Sequence, residues 1–251
     1  MGKRGIVTIA IPLYKCNPSR YELASFQQCL KIFSEYPVCV FTYQELDISV
    51  YMKLEGADRI VVEYFDKAFF SDVSGYNKLM LSKGFYQRFS EYNYLLIYQL
   101  DAWVFSDALL EWCSKGYDYI GGPWLKWSWS EHFARSISFS RRLQTKLGIS
   151  KFNLVGNGGF SLRKISACKS AVTFFSNAAS KFVQNEDYFF SFYVPSYNPF
   201  FKIPNEREAV KFSFDMNPAL ALELNNNKLP MGCHGWNLYE EFWKPYIPVV
   251  R

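Results

Sequence analysis

The chain has 251 residues, 49% of them apolar and 20% charged, which gives it the length and the apolar surface to bury one sizeable core and excludes a disordered chain. Its net charge of +5 is spread along the sequence, which excludes the concentrated basic face of a nucleic-acid binder, and no apolar run is long enough to span a bilayer. The aromatic fraction is high at 20%; core packing is the default for any one ring, and platforms for sugars or bases are the alternative.

Residues 1–16, MGKRGIVTIAIPLYKC, imitate a signal peptide. The apolar stretch is short, is interrupted by Thr8 and Pro12 and lacks a small-residue cleavage site, so it reads as a first core strand. Ile6 stands where N-myristoylation needs Ser or Thr. Strands are expected over 5–14, 37–44, 58–65, 94–101 and 117–124, where apolar, β-branched and aromatic runs are bounded by turn residues. Helical spacing covers 18–35, 74–90 and 107–116, the last with Ser106 and Asp107 as cap candidates. Strand alternating with helix predicts an α/β fold, a mostly parallel twisted central sheet with helices on both faces, and ligands beyond the carboxyl ends of the strands.

Past residue 124 the alternation stops. The stretch WLKWSWSEHFARSISFSRRLQTKLGISK, residues 124–151, carries six Lys/Arg against the single acid Glu131. It reads either as a solvated basic helix face or as an excursion that meets an anionic acceptor or a membrane surface. No repeat or linker divides the chain, so one domain over 1–251 is expected. Cys16, Cys29, Cys39, Cys113, Cys168 and Cys233 form no CxxC pair, and predict reduced, mostly buried thiols of a cytosolic protein.

Four stretches bear chemistry. In YLLIYQLDAWVF (94–105) only Gln99 and Asp101 interrupt an apolar run, and a carboxylate there asks for a metal, a basic side chain or a ligand. In VGNGGFSLRK (155–164) the glycines Gly156, Gly158 and Gly159 beside Asn157 suit a tight turn where backbone meets a ligand, or a plain strand-entry turn; the Lys-Ser/Thr of a phosphate-binding loop is missing. NEDYFF (185–190) places Glu186 and Asp187 in the first turn of a helix that Asn185 could cap. In MGCHGWNLY (231–239) His234 is either a hydrogen-bonded structural residue or a partner of Asp101 on one divalent ion, whereas His132 has no such context.

Taken together, the strand ending in Asp101, the Gly-Gly-Phe-Ser-Leu-Arg stretch, the Glu-Asp pair and the late His resemble glycosyltransferases of the GT-A fold. More narrowly they resemble a bacterial glycosyltransferase-like family carried as domain of unknown function 5672. The resemblance runs from about residue 5 to 245 and implies a single GT-A-like (nucleotide-diphospho-sugar transferase) domain, with a donor-binding half over about 1–124 and an acceptor-side half over about 125–251. It implies that Asp101 matches the last acid of an Asp-x-Asp motif that holds a divalent metal, manganese or magnesium, against the donor diphosphate. Gln99 stands where the first acid would be, a departure that leaves metal dependence open. It further implies His234 as a second metal ligand, Pro12 and Tyr14 at the nucleotide base, and Asn77 and Lys78 at the ribose or diphosphate. Asn157, Gly158 and Gly159 would lie on the acceptor side, the two glycines letting a sugar approach the backbone, and Glu186 and Asp187 would be catalytic base or acceptor holder. Trp103, Trp124 and Trp236 would wall the sugar pockets.

The function so implied is inverting transfer from a nucleotide sugar, with a UDP-sugar favoured, to a glycan or lipid-linked acceptor in polysaccharide biosynthesis. The expected setting is cytoplasmic, with peripheral contact at the inner face of the membrane and no nucleic-acid partner. Two rivals stand beside it. A nucleotidyltransferase would want a Gly-rich basic signature after the first strand, where this chain has IPLYKCNPSR, and a non-catalytic carbohydrate-binding protein would keep the aromatic platforms without the diphosphate site.

Overall fold

The computed structural model describes residues 5–125, 155–182 and 185–250. The basic stretch 126–151, His132 included, lies outside them. Strands β1 (Val7–Pro12), β2 (Val38–Thr42), β3 (Val61–Tyr64) and β4 (Tyr94–Tyr98) are parallel, with Ile9 beside Val38 and Val7 beside Tyr94. The chain continues through β5 (Ala102–Val104), β6 (Tyr119–Ile120), β7 (Phe160–Lys164), β8 (Ser213–Phe214) and β9 (Gly232–His234). The main sheet has the order β3-β2-β1-β4-β7-β6, with β7 antiparallel to both neighbours, and a small sheet β5-β9-β8 stands beside it.

The period of two along the strands divides the core. Val7, Ile9 and Ile11 of β1 and Leu96 and Tyr98 of β4 face one side, where helix α1 (Arg20–Ile32) lays down Phe26, Cys29 and Leu30. Ala10, Leu95 and Ile97 face the other, against the helices Val73–Met80, Lys83–Arg88 and Ile165–Phe174. Both faces are covered, so the central strands β1, β2 and β4 are apolar except for Thr8 and Thr42, whose buried hydroxyls donate to the Pro37 and Leu13 carbonyls. A third cluster gathers Trp103, Phe214, Trp236 and Trp243 around the small sheet.

Several local expectations need correction. The helical pattern over 74–90 breaks after Met80, because the Ser82 side chain accepts the Phe85 N–H (3.1 Å) and starts a second helix. The strand expected over 117–124 stops at Ile120, where Gly121, Gly122 and Pro123 follow. Neither Ser106 nor Asp107 is the N-cap of the helix Leu109–Ser114; Ala108 is, while the Asp107 carboxylate accepts the Tyr36 hydroxyl at 2.7 Å. Asn185 precedes the turn Glu186–Tyr188 without a side-chain cap bond. Cys16 is exposed, the other five cysteines are buried, and none is in a disulfide. Among the described residues no helix is long and apolar enough to cross a membrane.

Candidate active site

The chain leaves β4 at Tyr98 and turns through Gln99, Leu100 and Asp101, with the Ala102 N–H donating to the Gln99 carbonyl (2.9 Å). β5 then pairs antiparallel with β9 so that Ala102 lies beside His234. This register brings the histidine onto the turn. His234 Nε2 is 3.1 Å from Asp101 Oδ1 and 3.2 Å from Gln99 Oε1. The partner that the strand-end acid demands is therefore His234. Asp101 also keeps 42% of its side chain open to solvent, so part of the cost of its charge is met by water.

The other ring nitrogen is held as firmly. Asn157 adopts the left-handed conformation (φ 66°), and its Oδ1 accepts the Gly159 and Phe160 N–H groups at 2.9 and 3.1 Å. Its amide nitrogen must then face His234 Nδ1, 2.8 Å away, and can only donate to it. Asp215 Oδ1 lies 3.4 Å from the same nitrogen. Burial alone would lower the His234 pKa, but Asp101 and Asp215 outweigh it and push it up to about 10. A proton on Nε2 is shared with Asp101, and a second on Nδ1 requires the Asn157 amide to move aside and Asp215 to take over. Burial would raise the Asp101 carboxyl, yet the charge and hydrogen bond of His234 bring it below its usual value.

The glycine-rich turn is shaped by these side chains. A Cβ on Gly159 would sit 2.1 Å from His234 Nε2 and 2.7 Å from Gln99 Oε1, and one on Gly158 would sit 1.9 Å from Glu186 Oε1. A Cβ on Gly156 would enter the Trp124 ring at 1.9 Å. The space at Gly158 and Gly159 is thus filled by the protein's own Glu186 and His234, which corrects the expectation that their bareness admits a sugar. Glu186 is 3% exposed and paired with the fully buried Arg163 at 2.8 Å, while its Oε2 has no hydrogen-bond partner among the described residues. Arg163 is held further by Ser161 Oγ (3.1 Å) and Tyr86 Oη (3.2 Å), with the rings of Tyr119 and Phe190 each 5.4 Å away.

Asp187, next in sequence, faces a cleft of about 530 Å³. Burial, with the adjacent Glu186 charge second, raises its carboxyl to about 7 despite the hydrogen bond it accepts from the Tyr188 N–H (2.9 Å). The cleft is walled by Pro12 and Tyr14 beyond β1, by residues 69–73 with Tyr76 and Asn77, by Gln99, by 157–159, by 185–187 and by His234.

Of the residues singled out from sequence, Pro12, Tyr14, Asn77, Gln99, Asn157, Gly158, Gly159, Glu186, Asp187 and His234 line this cleft, and Asp101 joins it through His234. Lys78 is exposed and does not line it, because the helix that turns Asn77 inward turns the next residue away. Trp236 is no sugar wall: it is completely buried, and its indole N–H donates to the Ala102 carbonyl at 3.2 Å. Trp103, 6% exposed, packs in the same cluster. Trp124 stacks on Tyr188 with ring centres 4.6 Å apart, beside the cleft rather than in its lining. Sequence reasoning missed Asp215, Arg163 and Tyr76. Asp215 follows directly on β8, but that strand is only Ser213–Phe214, too short and too polar to mark the acid as Asp101 is marked by its apolar run.

A divalent metal on His234 Nε2 would need the tautomer with its proton on Nδ1, so the Asn157 amide would have to turn aside and Asp215 accept that proton; Gln99, Asp101 and His234 are then the residues that would hold it. Two ligands at adjacent corners of an octahedral ion with bonds of about 2.1–2.3 Å lie about 3.0–3.2 Å apart. Asp101 Oδ1 and Gln99 Oε1 stand at 3.1 and 3.2 Å from His234 Nε2. The carboxylate and the amide oxygen suit manganese or magnesium, with the imidazole as the softer third donor, and among the described residues no group of three His, Cys, Asp or Glu gathers that could hold a metal ion.

Comparison with known proteins agrees with this architecture. The structure superposes on the galactosyltransferase LgtC, solved with donor and acceptor sugar analogues, with a TM-score of 0.54 over 90% of this chain and 86% of that one at 14% identity. It superposes on the bifunctional glycosyltransferase WbbM with a TM-score of 0.50 over 92% of this chain and 45% of that one at 12% identity. The fold is accordingly the GT-A glycosyltransferase fold. No curated protein sequence matches the chain. Residues 59–234, a span that holds the Asp101 turn, the glycine-rich loop, the Glu186–Asp187 pair and His234, match one family throughout, and the chain belongs to that family, described as Protein of unknown function (DUF5672).

Proposed function

We propose that this chain moves a sugar from a nucleoside-diphosphate sugar, a UDP-sugar first, to a hydroxyl of a glycan or lipid-linked acceptor, with inversion. The observation that carries the reading is the meeting of Gln99, Asp101 and His234 just past β4, at a cleft that Gln99, His234 and Asp187 all line. Residues before about 125 would supply the donor half and those after it the acceptor side. Pro12 and Tyr14 would meet the base, and Asn77 the ribose or diphosphate. Gln99, Asp101 and His234 would hold a manganese or magnesium ion, which when bound neutralises charge on the departing diphosphate.

The acceptor oxygen attacks the anomeric carbon, the bond from that carbon to the phosphate oxygen breaks, and the hydroxyl proton passes to Asp187. A carboxyl with a pKa of about 7 suits this role, being largely ionised just above neutrality and still basic enough to take the proton. Trp124, stacked on Tyr188, would flank the acceptor. Glu186 is committed to Arg163 and would fix the helix start that aims Asp187.

The test is incubation with a panel of nucleotide sugars and manganese, following release of the nucleoside diphosphate and the anomeric configuration of the product by NMR. Release from a UDP-sugar with an inverted product is expected. Retained configuration would remove Asp187 as base, and no release from any donor would remove the activity.

A further inference from the structure

Away from the cleft, the surface formed by the described residues carries a group of exposed aromatic side chains. Phe174 is 81% exposed, Tyr197 64% and Phe200 84%. The first two belong to one continuous cluster: Phe174 meets Phe175 at 4.8 Å, Phe175 meets Tyr197 at 6.2 Å and Tyr193 at 5.6 Å, and Tyr193 meets Tyr197 at 4.8 Å. Phe200 follows three residues on, in the turn that the Phe201 N–H closes onto the Asn198 carbonyl (3.1 Å). A single exposed ring is ordinary, but large rings presented together mark a surface that meets an apolar partner.

The charge around the group selects the partner. Residues 165–182 and 188–204 contain Lys169, Lys181 and Lys202 and no Asp or Glu; of the acids next to them, Asp118, which accepts the Lys202 N–H at 2.8 Å, and Glu186 are buried, and Glu206 follows two residues past the second stretch. Lys181 and Lys202 are exposed, Lys181 beside Phe182, whose ring packs on Tyr193 at 5.2 Å, and Lys202 two residues past Phe200. Rings that enter the acyl boundary, flanked by cations that stay among headgroups, make up the chemistry of an interfacial membrane contact. A symmetric contact with a second copy would bring two such basic rims into one interface, with no exposed acid of these two stretches to offset them.

We infer that the Phe174–Tyr197–Phe200 face docks on an anionic lipid surface. Tyr197 ends the helical segment that begins at Glu186 and lies ten residues past Asp187, about 15 Å along a helix, while Phe174 closes the helix Ile165–Phe174 beside it. Docking would thus hold the cleft close to the lipid surface, within reach of a lipid-linked acceptor; that consequence rests on the proposed function, whereas the docking does not.

The experiment is co-sedimentation of the full chain with phosphatidylcholine vesicles, with and without about a third of phosphatidylglycerol, at about 50 and 500 mM salt. Binding to the anionic vesicles, weakened by salt and by the change to neutral lipid, is expected. The double variant Phe174→Ser with Phe200→Ser should bind roughly tenfold less, since binding scales with inserted apolar area. Its melting temperature should match the parent, both rings being exposed. Tyr197→Ser, measured the same way, is the second variant should the double one lose its fold. Absent binding overturns the inference. So does undiminished binding by the folded variants, which would place the contact elsewhere, in the basic stretch 126–151 for instance. Dimers by light scattering that these variants dissolve would assign the face to self-association instead. No arm reads glycosyl transfer, so failure here and failure of the proposed activity remain distinguishable.

Discussion

Asp187 and Glu186 are neighbours with opposite fates. Arg163 stabilises the charge of one, while the other is left half-buried with a pKa of about 7. For a carboxyl raised from its ordinary 3.8, the native state keeps a proton that the unfolded chain has lost, so this group's contribution to stability is present at low pH and is lost as pH rises through about 7. Asp187→Asn should therefore melt higher than the parent at pH 8 and equally at pH 4, while transfer falls by about 10²–10⁴ with donor affinity kept. A helix-start role alone predicts the reverse, a modest loss of stability and full turnover. The pH profile of transfer should climb through about 7 in the parent and lose that limb in the variant. Asp215, 3.4 Å from His234 Nδ1, is expected to orient the ring for a metal on Nε2. Asp215→Asn should weaken manganese affinity by about 10–100-fold, read by the free-manganese spin-resonance signal without any turnover. Glu186→Gln leaves the Arg163 guanidinium buried without its charge partner and should cost about 3–5 kcal/mol in urea unfolding.

The decisive elements are turns. The β4–β5 turn places Gln99 and Asp101, the 155–159 turn passes beneath them, and β9 delivers His234 to both. Gly159→Ala drives a methyl against His234 and Gln99, so it should abolish manganese binding and lower unfolding stability by about 1–3 kcal/mol, the range for overpacking. The strands were legible from their apolar runs, and Asp101 was legible because a carboxylate in such a run is costly. The turn over 155–159 was legible as a turn, but what fills it was not: glycine reports only that something is close, and here that is Glu186 and His234 rather than a ligand. Arg163 escaped notice because in GFSLRK it looks like the outward residue of an alternating strand, and only the fold sets Glu186 beside it. Trp236 was misjudged since an aromatic among glycines reads the same whether it faces a sugar or the Ala102 carbonyl.

At the scale of the whole chain, alternation of strand and helix foretold a sheet covered on both faces, and the late antiparallel β7 together with the small β5-β9-β8 sheet did not follow from it. Those two features close the site, because β7 carries the glycine-rich turn and β9 carries His234 onto the carboxyl edge of β4. The central claim is that this edge binds a nucleoside diphosphate through the Gln99, Asp101 and His234 cluster. Calorimetric titration of UDP into the parent and into Asp101→Asn, each with and without manganese, tests it most directly. Binding by the parent that requires manganese is expected, and its loss in Asp101→Asn under both conditions, with the fold intact. Equal binding by parent and variant, or no binding by the parent at millimolar UDP with manganese, would contradict it.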